Sequence, residues 1–219
     1  MLVVTTSVVS RTAEAVTTRR SIRCIVTVSP THLLLVLIAA TLVLALSRVW
    51  QVALLAFWVH YLALGGLVLQ IGPTARSGLR ILMGGLICLV LFFTARRLGH
   101  GRAGGDWLPR RRDLSAFVFR LAGVALAGLG VFGTTIPARF PSLPAELVVA
   151  SVWLMALGFV VVVTSREALW AGMGLLLAGS GFETLYTARD PRLAVAGLLA
   201  VGGLLLALMI AVAVAFADR

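Results

Sequence analysis

Long apolar stretches, broken only by short polar ones, constrain this chain more than any other feature. They cover 33–47 (or from Pro30), 49–70, 79–95, 121–136 with a backward extension to Phe117, 147–164, 168–187 and 193–216. Each is close to the roughly 17–25 residues that a helix needs to cross a bilayer core of about 30 Å. The apolar residues run continuously and do not alternate, which favours helices over a porin-like barrel. Charged residues make up 12% of the chain and mean hydropathy is +1.06, whereas a soluble domain carries about 25% charge. The expected fold is all-α, a polytopic transmembrane bundle of about seven helices, with six as the alternative if 33–47 does not cross.

Two domains of sequence are distinguishable. Residues 1–29 form a polar tail rich in Thr, Ser and Arg, with the texture of an over-long gene start whose true beginning is Val26 or Val28. Residues 30–219 form a single transmembrane domain interrupted by an Arg-rich loop at 96–115. That loop holds six Arg and two Asp, and Gly and Pro punctuate it. The next loop, 137–146, is rich in Pro and nearly neutral. The excess of Arg places 96–115 in the cytoplasm. The tail, with Arg11, Arg19, Arg20 and Arg23, then falls outside, against the same rule. A prokaryotic inner membrane is the expected location.

All 19 basic residues are Arg, and the formal charge is +11. They sit at helix ends and in loops, not on a soluble face, so nucleic acid is not an expected partner. Arginines at helix ends instead reach headgroups and attract anionic lipids. Trp50, Trp107, Trp153 and Trp170 fall near expected interfaces and read as an aromatic belt. Cys24 and Cys88 form no C-x-x-C pair, Cys88 reads as a small buried apolar side chain, and His32, His60 and His100 are scattered. No metal site and no cofactor is expected, and no nucleotide-binding or hydrolase motif occurs.

The chemistry that remains lies in GMGLLLAGSGFETLYTARDP, residues 172–191. Glu183 is the one acid well inside a span. An ionised carboxylate at that depth requires a partner or a proton. Ser180, Tyr186 and Thr187 are one turn away, and Arg189 does not share the face. Glu183, Ser180 and Tyr186, together with His60 in FWVHY, are the proton-handling candidates. A structural hydrogen bond is the competing reading for Glu183 and for His60. Gly172, Gly174, Gly179, Gly181, Gly202 and Gly203 read as helix-packing positions, where a missing side chain lets backbones approach. Local unwinding near 179–181 is the other reading of the first four.

The stretch from SVWLMALGF through TSRE, the Gly-rich helix and the Pro-containing break to the final span resembles the last three helices of the hydrogenase-4 component E family. These are small membrane subunits of hydrogenase complexes, related to the small antiporter-like subunit of respiratory complex I. The resemblance extends in layout over about 30–216. It implies a larger antiporter-like membrane subunit as partner. The family's acid in an L-M-E-N-G-like segment falls near Gly179 here, one turn before Glu183. The family's acid in the final helix matches the AVGGLL stretch around Gly202, which has none.

The expected function is therefore a non-catalytic integral subunit of a respiratory, hydrogenase-like or cation/proton antiporter-like complex, structural and assisting proton translocation. A small stand-alone transporter and an assembly or anchoring protein using the 96–115 loop are the alternatives. A membrane enzyme fits least, since no nucleophile–base pair or acid cluster converges.

Overall fold

A computed structural model describes residues 29–47, 49–71, 74–97, 111–133, 143–165, 167–190 and 192–217. Within them the chain folds into helices α1 (Pro30–Leu46), α2 (Trp50–Ile71), α3 (Thr74–Arg97), α4 (Arg111–Phe132), α5 (Ala145–Thr164), α6 (Ala168–Arg189) and α7 (Leu193–Ala217). The tail through residue 28, residues 98–110 with His100 and Trp107, and 134–142 lie outside the described residues.

Five helical segments have the length and apolarity of a membrane span: Trp50–Gln70, Ala75–Arg97, Ala145–Thr164, Ala168–Arg189 and Leu193–Phe216. The apolar helix Pro30–Leu46 and the apolar segment Phe117–Phe132 of α4 are shorter. The chain is thus an all-α, polytopic membrane protein.

Local chemistry sets the helix ends. Ser29 caps α1, its side chain accepting from the His32 amide, and Pro30 opens the first turn, where a missing N–H costs nothing. Arg189 occupies the last turn of α6, where a cation complements the helix dipole, and the helix stops at Asp190, before Pro191. The bounds differ most from those read off hydropathy in α3 and α4. α3 starts at Thr74 instead of Leu79, and α4 starts at Arg111, inside the expected loop. Helical backbone satisfies its own hydrogen bonds, so it extends past the apolar residues into polar sequence.

Six helices close into a ring in the order α1, α2, α3, α7, α6, α5, and α4 leans on α5 and α1. The tightest seam joins α5 and α6. There a Cβ on Gly158 would lie 2.5 Å from the Ala178 amide nitrogen, and one on Gly181 would lie 2.6 Å from the Ser151 carbonyl oxygen. Gly174 faces the Gly158 carbonyl in the same seam. Without a hydrophobic driving force between helices in lipid, close backbone approach of this kind is what holds them together.

Gly172 packs against Ile210 of α7. Gly179 and Gly202 have open space where a side chain would be, and Gly203 makes only an ordinary contact with Ile87. A Cβ would therefore collide with a neighbouring helix at Gly172, Gly174 and Gly181, and would meet nothing at Gly179 or Gly202. The four glycines expected to pack or to unwind α6 all lie in unbroken helix.

The aromatic belt is corrected in part. Trp153 is buried, and its indole N–H donates to Thr41 Oγ1 of α1 at 2.9 Å. Trp170 is also buried, with the Arg120 guanidinium carbon 6.0 Å from its ring centroid. Both serve the bundle interior because an indole N–H or face finds its partner there. Trp50 keeps an intermediate position beside Phe92. Cys88, expected to be buried, is a free thiol of intermediate exposure.

Candidate functional site

Glu183 meets a partner that comes from neither its own helix nor its sequence neighbourhood. Arg80 of α3 extends its guanidinium to α6, with Nη2 3.7 Å from Glu183 Oε2. The side chains are 6% and 19% exposed. The same Nη2 donates to the Ser180 carbonyl at 2.8 Å and to Thr184 Oγ1 at 2.6 Å. Arg80 thus grips one turn of α6 at three points, two of them charge-assisted hydrogen bonds.

Ser180 and Thr184 are held ready for this by their own helix. Thr184 gives its hydroxyl hydrogen to the Ser180 carbonyl at 2.6 Å, which turns its lone pairs toward Arg80. Ser180 gives its hydrogen to the Leu177 carbonyl at 2.8 Å. His60 Nε2 of α2 lies 3.2 Å from the same Oγ. The Ser180 hydroxyl and the His60 ring can share this bond in either sense, according to the ring tautomer. His60 is fully buried, and Nδ1 has no hydrogen-bond partner.

The result is a polar file through three helices: Glu183, Arg80, Thr184, Ser180 and His60. Glu183 lies six residues before the end of α6, about 9 Å of rise, and Ser180 about 14 Å. His60 sits at the middle of α2. The file therefore starts near one membrane face and ends near the midplane.

At its outer end is a cavity of about 180 Å³, lined by residues of α2, α3, α5, α6 and α7. Arg76, Arg80, Glu183, Thr184 and Thr187 supply its polar wall. Because Leu147, Thr187 and Ala196 all line it, the start of α5, the end of α6 and the start of α7 share one end of the bundle.

No known family, curated protein or solved structure matches this chain.

Of the residues singled out in the sequence, the structure brings Glu183, Ser180 and His60 into one cluster. Tyr186 is not in it. It is exposed and stacks on Phe182, with ring centroids 6.0 Å apart. Thr187 donates its hydroxyl to the Glu183 backbone carbonyl, not to the carboxylate. The partners expected one turn away on α6 thus give way to Arg80. His32 stays at the start of α1, bonded to Ser29.

Sequence reasoning missed Arg80, Thr184 and Arg76. One signal was available: Arg76 and Arg80 are spaced i, i+4, so a helix reaching back to Thr74 puts both on one face. Among the described residues no group of three or more His, Cys, Asp or Glu is arranged to hold a metal ion.

Proposed function

We propose that this chain is a non-catalytic integral subunit of a proton- or cation-translocating membrane complex, in which it supplies a one-sided site for an exchangeable proton. The observation that carries the reading is the Arg80–Glu183 pair and its continuation through Ser180 to His60. A buried ionisable pair in a membrane helix bundle is costly to build and is characteristic of proton relays and ion paths. Glu183 at the cavity can take up or release a proton, and the hydroxyls of Thr184 and Ser180 lie between it and His60 at the midplane.

Beyond His60, the polar side chains buried among the described residues include no charged group toward the opposite face. A stand-alone transporter needs a path on both sides of its midplane site, so the half-path favours a subunit whose partner completes it. The resemblance to the hydrogenase-4 component E family points to the same role, beside a larger antiporter-like subunit in a prokaryotic inner membrane. In this reading all seven helices cross. α1 spans about 25 Å, and such short helices are accommodated by local thinning of the bilayer.

The test is Glu183→Gln in the native membrane. The complex purified through this chain is expected to keep its partners, while vesicles lose most of their proton gradient at unchanged electron or substrate turnover. Glu183→Asp should restore part of it. Normal coupling in an assembled Glu183→Gln complex would remove the proton role and leave a scaffold.

A further inference from the structure

The cavity at the outer end of the file holds more positive charge than its own residues neutralise. Arg76 and Arg80 both line it, against the single acid Glu183. The Nε atoms of both arginines are buried and have no hydrogen-bond partner. Buried donors of this kind are almost always satisfied in folded proteins, and an unbalanced cation near hydrocarbon is costly.

What would satisfy them is an acceptor with several lone pairs and a single negative charge. Guanidinium groups match a phosphate oxyanion in geometry as well as in charge. Thr187 adds a hydroxyl to the polar wall, whereas Val68, Leu79, Leu147, Ala196 and Ala200 make the remainder hydrocarbon. A ligand filling this space has an anionic oxygen-rich end and an apolar end. Its depth matches the headgroup boundary, because Arg76 lies in the first turn of α3.

We propose that this cavity is a specific headgroup site for an anionic phospholipid, its phosphate seated between Arg76 and Arg80 and its glycerol and upper acyl region against the apolar wall. The proposal is independent of proton handling. It requires only the two guanidinium groups and the space beside them.

The experiment uses the purified full-length chain. It is reconstituted in nanodiscs of phosphatidylcholine with a minor fraction of phosphatidylglycerol, then released for native mass spectrometry. One retained phosphatidylglycerol per chain is expected, enriched over its share of the bilayer. Arg76→Gln should lower that retention by about tenfold, the loss of one charge-assisted contact of about 1.4 kcal/mol. Ala200→Phe, which fills the cavity without touching a charge, should lower it as well.

Retention in proportion to bilayer composition in the unsubstituted protein would overturn the proposal, and that arm holds even if a variant fails to fold. Unchanged retention in both folded variants would also overturn it, by placing the bound lipid elsewhere. Inorganic phosphate is the competing source of the same chemistry. Displacement of the lipid by millimolar phosphate at constant ionic strength would assign the site to a free anion instead and overturn the lipid assignment.

Discussion

Arg80 is the residue on which the interior depends. Its guanidinium holds Ser180, Thr184 and Glu183 from a different helix, so its removal leaves a part-buried carboxylate and two polar groups without their cation. Breaking a buried pair from one side typically costs about 3–5 kcal/mol. Arg80→Leu should therefore reduce the yield of folded chain in mild detergent and lower the melting temperature. The double variant Arg80→Leu/Glu183→Leu removes both charges, and should recover much of that loss. A melting series over both single variants and the double checks this. If the double variant is as unstable as the sum of the singles, the pair is not energetically coupled. Glu183→Gln should be milder than Arg80→Leu, because Arg80 keeps its bonds to Ser180 and Thr184.

At the scale of the helix, the α5–α6 seam should tolerate least. A Cβ at Gly158 would meet backbone atoms of Ala178 and Gly174, and backbone, unlike a flexible side chain, cannot turn aside. Gly158→Ala should separate the two helices locally and destabilise by about 1–3 kcal/mol, as overpacking does. Gly181→Ala should behave alike. Gly179→Ala, two residues earlier on α6 and open to its surroundings, should be neutral or slightly stabilising, through the better helix propensity of Ala by up to about 1 kcal/mol. Thermal unfolding of the three variants side by side is the measurement. Their difference also shows what sequence could convey. The seven apolar runs were legible because lipid demands them, and the abundance of small residues in α6 was legible as a packing signal. Which glycines pack was not, since that depends on which face of α6 meets α5. Gly158 was hidden by standing alone in LMALGFVV. Arg80 was hidden differently. Apolarity marked Leu79 as the start of a span, which put Arg80 at the membrane edge, and its partners lie about a hundred residues away.

Over the whole molecule, the polar file and the cavity share one end of the bundle, where α5 begins, α6 ends and α7 begins. The functional reading depends on which side of the membrane that end faces. The Arg-rich segment between α3 and α4 should be cytoplasmic, and α3 runs from Arg80 toward that segment. The cavity then opens on the outer side, and the α5–α6 turn at Ser165 lies inside. In a chain freed of Cys24 and Cys88, Asp190→Cys should react with a membrane-impermeant maleimide applied to intact cells. Ala145→Cys, at the exposed first residue of α5, should react with it too. Ser165→Cys should react only after the membrane is opened. Labelling of Ser165→Cys alone in intact cells would invert the assignment, and Glu183 would then load its proton from the cytoplasm. Labelling of Asp190→Cys and Ser165→Cys together would mean that α6 does not cross, which would put the Arg80–Glu183 pair at a surface and remove the reason for a proton site there. In the proposed function, a carboxylate reached from the outer side would take its proton from the side to which protons are pumped.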